Sequence, residues 1–400
     1  MSTAEIAKPP VVDLDPYAAD VLESPYRFHE DLREAAPVVW LEKYGVYALG
    51  RHDEARIVLS DYARFTAMGG IGIQDIREPG DFRIPSRLLE NDPPNHTEIR
   101  KVVQKVLSPL VVKQWREAAE SIAAQVVAEA LEKEVVDGVE DLVEAFVLRA
   151  FPEVVGVTLP RTETLAIGEM RFNQSGPRNE LTERALEAAQ PYLAWFDQSC
   201  SRQGVRPGSI SETLFEIEEA GGLPEGVASN IVRSFVGGGT DSTISGISTA
   251  VRHLAADPEQ WQILQNNPSK AKIALDEAVR VECPFHVTYR TTTGPVELGG
   301  LELTGNSKIG VFLGAANRDP RRWEEPGKFD LMRAVAGSHN GFGTGDHNCI
   351  GQMLARLEAE ALLTALARGA AKIELAADYS YRPMNQMRTL KSLPLRLTPA

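Results

Sequence analysis

The sequence is poor in cysteine. Its three cysteines, Cys200, Cys283 and Cys349, are odd in number and far apart in 400 residues. They build no disulfide framework, and a reducing compartment is expected. Positive charge is also in deficit, with a formal net charge of −14 at pH 7. That argues against non-specific binding to nucleic acid or to an anionic membrane surface. No apolar run approaches the ~18 residues of a membrane span. Residues 1–12 lack the apolar region of a signal peptide and read as a flexible arm, which points to a cytoplasmic protein. There is no internal repeat and no low-complexity linker. What is present is an ordinary globular composition, 43% hydrophobic and 24% charged, long enough for one large fold or two domains.

Helical periodicity dominates the middle of the chain. Ser24-Pro25 followed by YRFHEDLREA reads as a capped helix start with proline in the first turn. Residues 38–41 and 45–49 read as a hairpin, and 52–60 as helix. The stretch 68–88 is long, weakly patterned and rich in Gly, Pro and charge; such loops are either disordered or functional. Helix is expected over 95–134 with a break at Ser108-Pro109, then over 139–150, 162–173, 180–203 and 225–256. Strand alternation returns at 289–293, 296–298, 308–313 and 390–397. The expectation is a mainly α protein with a small β region built from both chain ends.

Four stretches carry chemistry. Residues 342–351 set Cys349 in a glycine-rich loop, and an amphipathic helix follows with Met353, Leu354, Leu357, Ala361 and Leu362 at helical spacing. Glycines there allow a tight turn or the close approach of a flat ligand. Loop N–H groups and a helix N-terminus favour the thiolate, the metal-binding form, although a buried structural cysteine is equally compatible. Gly237-Gly238-Gly239 lies inside a helical pattern at a cost of about 1 kcal/mol per glycine. A helix crossing, a kink or a groove would explain it. Glu277 and Arg280 stand at i and i+3, as in many surface ion pairs. His96 and Arg100 stand at i and i+4 after Asp92-Pro93-Pro94. His29, His52 and His253 carry no motif and read as surface residues.

The string Phe-Gly-x-Gly-x-His-x-Cys-x-Gly is similar to the haem-ligand loop of cytochrome P450 enzymes, and the order of the remaining motifs resembles that family over essentially the whole chain. The resemblance implies the cytochrome P450 fold as a single catalytic domain over 13–400, with haem b held between a long distal helix and the proximal cysteine loop. Cys349 would be the axial iron ligand, in a loop shaped by Phe342, Gly343 and Gly351. Gly238 and Gly239 would form the oxygen groove, and Asp241 and Ser242 would deliver protons. Ser242 stands where the family usually has threonine. The hydroxyl is kept but the rotamer-restricting methyl is lost, so a less fixed hydrogen bond is expected. Glu277 and Arg280, with Arg333 as third member, resemble the family's buried support for the loop. Asp-Pro-Pro-x-His-Thr-x-x-Arg is similar to the propionate-binding helix, which assigns His96 and Arg100 to the propionates, with Arg290 and His347 as the other candidates. His339 would bond the loop backbone. No flavin or iron–sulfur segment is evident. Electrons for this O2-dependent monooxygenase would therefore come from NAD(P)H through a ferredoxin and its reductase. The docking face for an acidic ferredoxin would draw on Arg100, Arg318, Arg321, Arg322 and Arg356. A monomer is expected.

Shorter strings narrow the resemblance. Leu-Ser-Pro (107–109), Gly-Pro-x-Asn-Glu (176–180), Val-Arg-Ser-Phe (232–235) and Arg-Thr-Thr-Thr (290–293) are similar to bacterial P450s that O-demethylate para-methoxybenzoate. That resemblance assigns a substrate carboxylate to Arg83, Ser86, Arg233 and Ser234; an internal ion pair for Arg233 and a solvated Arg83 is the alternative. Leu89, Phe172 and Phe285 would form an apolar and aromatic wall. Ser175, Gly237, Gly238 and Thr288 are smaller than their counterparts, so a wider cavity and a bulkier aromatic acid are expected. The competing readings are a P450 for another small hydrophobic substrate, a peroxide-driven peroxygenase, and a non-catalytic haem–thiolate sensor.

Overall fold

Residues 9–78 and 83–400 are described in the computed structural model. The helical run from residue 95 is three helices, Asn95–Val106, Pro109–Gln114 and Arg116–Leu131. The first break is local chemistry: Ser108 accepts the N–H of Val111, and Pro109 takes the first helical position, where its missing N–H costs nothing. The helix Tyr26–Ala35 forms, but Ser24 does not cap it. Ser24 closes the preceding short helix Ala19–Glu23, and Pro25 stands at the N-cap. The run 180–203 is divided into Glu180–Ala189 and Leu193–Ser199 by a 3-10 turn at Pro191. The run from 139 starts as a π-helix, Gly138–Glu144, before the α-helix Ala145–Val155. Apolar periodicity over so few residues does not separate the two.

Both chain ends build the main sheet, as the alternation predicts. Its strand order is Val39–Leu41, Val46–Leu49, Lys308–Val311, Thr288–Thr292, Phe65–Thr66. Val46–Leu49 runs parallel to Lys308–Val311, and the other neighbours are antiparallel. A second sheet joins Val136–Asp137, Pro394–Pro399 and Ala370–Leu375. Residues 390–397 are therefore parts of two strands, Thr389–Ser392 and Pro394–Pro399. The arm is not loose where it is described: Trp40 N donates to Pro10 O (2.9 Å) and Val12 N to Trp40 O (3.3 Å). Residues 1–8 of it lie outside the described residues.

The three histidines read as surface groups are inside. His29 and His52 are buried, and half-buried His253 stacks on Phe329 at 4.7 Å. Burial drives His29 well below its usual value, which keeps the ring neutral. A ring is a large apolar body, and these three serve as core.

The pair Glu277–Arg280 is fully buried, with no exposure on either side chain. Arg280 Nε and a terminal nitrogen each donate to a Glu277 carboxylate oxygen at 2.7 Å. The remaining N–H groups go to the carbonyls of Asn317 (3.2 Å), Pro326 (2.8 Å) and Lys328 (2.7 Å). Arg333 Nε adds a third cationic donor to Glu277 at 2.8 Å. Asn317 then accepts Asn340 N at 2.7 Å, and Asn340 O accepts Gly343 N at 2.8 Å. The network thus runs in bonded steps from one helix to the cysteine loop. Glu277→Gln leaves a buried guanidinium without its anion and should destabilise the protein by about 3–5 kcal/mol. Denaturant titration measures this, and a loss under about 1 kcal/mol, the level of a surface pair, contradicts the account.

Candidate functional site

Local backbone chemistry sets the loop 342–351. Gly343 and Gly345 take φ of +69° and +67°, a region open to glycine. A Cβ on Gly345 would also stand 2.7 Å from Ser60 Cα. Cys349 N donates to Phe342 O at 2.6 Å and closes the loop. The helix Gln352–Gly369 starts beside it, and Gln352 Nε2 donates to Cys349 O at 3.0 Å. His339 Nδ1 accepts Gly341 N at 2.9 Å, the backbone role expected of it. Burial pushes the Cys349 thiol up; the N–H groups of Gly351 and Gln352 and the cations Arg100 and Arg356 pull the other way.

A cavity of about 320 Å³ lies over the loop. Phe342, Gly343, Cys349 and Gly351 line one side; Ser234, the three glycines, Ser242 and Thr243 line another. The glycine stretch does break its helix. Val227–Gly239 and Asp241–Ala256 meet at Thr240, whose ψ is −70°. Thr240 and Ser242 hydroxyls donate to the carbonyls four residues back, Val236 (2.5 Å) and Gly238 (2.7 Å), a pattern that bends helices. Each glycine does something different. A Cβ on Gly239 would stand 2.5 Å from the Phe151 ring, and one on Gly237 would stand 2.1 Å from Arg171 Nε. A Cβ on Gly238 would meet nothing within 4 Å, so this position is the open one.

Gly168, on the helix Arg161–Asn173 that carries Arg171, admits the Asp241 carboxylate, which stands 2.0 Å from where its Cβ would be. Arg171 fills the gap at Gly237 on the helix before the break, and Asp241, first residue of the helix after it, fills the gap at Gly168. Asp241 is thereby turned toward Gly168, with Oδ2 buried and unbonded, while Ser242 next to it lines the cavity. Burial pushes Asp241 up to about 7; Arg382 works against the shift and Glu144 with it.

Cations gather at one edge of the cavity. Arg290 and His347 line it. Burial holds Arg290 down, to about 10, and one of its terminal nitrogens donates to Tyr289 O at 2.8 Å. His347 Nε2 lies 3.4 Å from Asp92. The His96 ring lies 4.3 Å from that of His347, and both its nitrogens are buried without a partner. Burial lowers His96 to about 4. Arg100 grips the loop itself, donating to the Asn348 carbonyl at 2.7 Å.

The substrate residues divide. Leu89, Phe172, Ser175, Ser234, Gly238, Phe285 and Thr288 all line the cavity, with Phe172 and Phe285 edge-to-face at 6.0 Å. Ser86 stands behind Ser234, hydroxyl to hydroxyl at 3.0 Å. Arg83 lies against Gly72, close to the Ser175 backbone. Arg233 does not join them: it is ion-paired with Asp197 at 2.5 Å and sits over the Phe196 ring. Ser234 and Gly238, one turn apart on the helix Val227–Gly239, line the cavity, and Arg233 is turned to Asp197 instead. The missed residue is Arg171, which lines the cavity and fills the room that Gly237 leaves, so Gly237 adds no free volume. Its signal was a helical face, 168, 171 and 175, with one long cation between two small residues. The proposed docking cations are also engaged: Arg356 with Asp276 (2.8 Å), Arg321 with Glu34 (2.9 Å), Arg322 with Ser338 (2.9 Å), and Arg318 over the Tyr26 ring.

The family model Cytochrome P450 matches residues 209–368. The chain is 41% identical over 393 residues to "Cytochrome p450 CYP199A2" of Rhodopseudomonas palustris, covering 98% of this chain and 95% of that one. The chain belongs to the cytochrome P450 family. It is also 28% identical to the 6-deoxyerythronolide B hydroxylase of Saccharopolyspora erythraea, over 93% of this chain and 96% of the relative. Among solved structures, cytochrome P450 CREJ in complex with (4-ethylphenyl) dihydrogen phosphate shares the fold, with a TM-score of 0.87 at 24% identity over 96% of this chain and 99% of that one.

Cytochrome P450 monooxygenases use haem b, O2 and electrons from NAD(P)H passed through redox partners. The residues here fit haem. Among the described residues no three His, Cys, Asp or Glu side chains gather into a metal site, so a metal at Cys349 needs a ligand set such as a porphyrin supplies. The unbonded His96 nitrogens and buried Arg290 suit propionates. Among the described residues no helix is long and apolar enough to cross a membrane.

Asp241 gives a pH signature. Between about pH 4 and 7 the folded carboxyl keeps a proton that the unfolded chain releases, so stability falls as pH rises through that window and levels off above it. Asp241→Asn carries no such proton. Relative to the parent it should gain with rising pH, by at most about 4 kcal/mol at pH 8. Paired denaturant titrations at both ends of the window measure the difference, and parallel pH curves would refute a buried carboxyl.

Proposed function

We propose that this cytochrome P450 oxidises an aromatic carboxylic acid, by hydroxylation or by O-demethylation of a ring methoxy group. One observation carries the reading: the edge-to-face pair Phe172–Phe285 walls a cavity over Cys349, in a chain whose sequence strings resemble para-methoxybenzoate O-demethylases. An aromatic wall of this kind selects a flat ring. Ser234 lies one turn, about 6 Å, before Gly238 on the same helix, so it stands toward the end of the cavity where an acid group would lie.

Haem, when bound, supplies oxygen activation at its iron. The chain supplies the rest. Cys349 is its thiolate ligand, and Glu277, Arg280 and Arg333 hold the loop that carries it. Asp241, titrating near neutrality, holds and passes a proton. Ser242 offers a hydroxyl tied to Gly238 O. A ferredoxin and its reductase deliver electrons. The openings at Ser175, Gly238 and Thr288 favour an acid bulkier than para-methoxybenzoate. Soret titration of the haem-loaded protein with a graded series of substituted benzoates should show affinity rising with ring substitution. Tightest binding by the smallest benzoate would sink the size argument.

Ser242 also favours a second reading, turnover driven by peroxide alone. Ser242→Thr adds the methyl that restricts χ1 and should lower hydrogen-peroxide release per NADH consumed, by about twofold or more, in a ferredoxin-supported assay. Unchanged release in that variant, with faster turnover on peroxide than on NADH in the parent, would favour the peroxygenase.

A further inference from the structure

We propose that Arg171 is the carboxylate anchor of the substrate cavity, in place of the arginines that sequence resemblance assigned. It deepens the aromatic-acid reading above and rests on it for the ring, but the anchor itself requires only an organic carboxylate.

Arg171 lines the cavity, and among the described residues its guanidinium has no hydrogen-bond or ion-pair partner. The residue is half-buried at the cavity wall, and burial holds its pKa below the usual value, with Arg233 adding to the shift. Such a cation is unfavourable until an anion meets it. The place is also built for it. The stem and Nε cross Gly237, where a Cβ would stand 2.1 Å from Nε and 2.5 Å from Cδ.

The neighbouring acids do not serve as its partner. Glu90 already accepts Ser86 N at 2.9 Å and Ile71 N. Asp241 is turned into the Gly168 gap. The nearby hydroxyls do not supply donors either. Ser234 donates to Asn230 O at 3.0 Å, and Ser175 donates to Arg171 O at 3.2 Å. The Arg171 guanidinium therefore holds the uncommitted N–H groups at this end, in the planar fork that pairs with a carboxylate. Arg233, the next cation, is committed to Asp197.

The test uses the haem-loaded protein and Soret titration, with an intact reduced carbon-monoxide spectrum as the folding control for every variant. Probes are a substituted benzoate, a naphthoate and octanoate, each beside its methyl ester. The parent should bind an acid at least about tenfold tighter than its ester. Arg171→Leu should erase that preference by lowering acid affinity, with the ester unchanged, and Arg171→Lys should restore part of it. Gly237→Ala should weaken the acid too, by pushing the guanidinium aside. Loss of acid preference only in Arg233→Leu or Arg83→Leu overturns the proposal. So does an Arg171→Leu variant that keeps its acid preference and changes only the pH profile, which would make Arg171 a partner of Asp241. Absence of any acid preference in the parent also overturns it. An Arg171-dependent preference strongest for octanoate would retain the anchor and reject the aromatic substrate. Tight aryl acids indifferent to Arg171 would do the reverse.

Discussion

The buried Arg280 guanidinium sets the terms for the proximal half of the molecule. A guanidinium cannot shed its proton in a protein, so once it is removed from water each of its five N–H groups needs an acceptor. Here Glu277 takes two, and the carbonyls of Asn317, Pro326 and Lys328 take the rest. Asn317 caps the short helix Leu313–Ala316, and the other two carbonyls lie in irregular chain with no helix or strand to fix its path. Arg280 fixes that path instead, and Asn317 passes the constraint to Asn340 and the turn at Gly343. The position of the Cys349 sulfur is thus decided several bonded steps away, by a charge that has nowhere else to go.

The opposite wall is organised by missing atoms. Three consecutive glycines weaken a helix, and the break at Thr240 shows it. Each absent Cβ is occupied from outside or left open: Phe151 at Gly239, Arg171 at Gly237, space at Gly238. With Asp241 at Gly168, the helix that sends its cation to Gly237 receives an acid from the helix beyond the break, and the two side chains are not paired. Side chains in a close-packed interior stay where gaps admit them, so gap placement keeps the two groups apart against Coulomb attraction.

These features differ in how far the sequence showed them. Cys349, Glu277 and Arg280 sit in strings whose spacing is fixed by one turn or one loop; local order left a structural cysteine and a surface ion pair open, and likeness of the strings to the family singled these residues out. The glycine run announced a broken helix, yet not what would enter each gap, because Phe151, Arg171 and Asp241 reach the gaps through tertiary packing. Arg233 was misplaced because likeness of a string gives the residue and not the rotamer, and an acid at 197 captured the side chain. The strands Leu301–Leu303, Ala370–Leu375 and Ser380–Arg382 were not read from the sequence; two are three residues long, and Ala370–Leu375 follows the helix Gln352–Gly369 with no break between them. His29 and His52 looked exposed because a histidine without a motif gives no sign of burial in sequence.

A net charge of −14 and the anionic ligand proposed above pull in opposite directions, and scale resolves it. Surface charges act through solvent, and beyond roughly 8–10 Å they are screened at physiological salt. Inside the cavity the local groups decide. Two arginines line it, Arg290 near His347 and Arg171 against Gly237. The first suits the paired acids of a bound porphyrin. The second remains, in the cavity that Phe172 and Phe285 also line, where a lone guanidinium and the proposed ring-bearing acid would compensate each other's loss of water. Such an acid would be favoured by the one charge it touched, and the negative exterior would bear mainly on how fast it arrived.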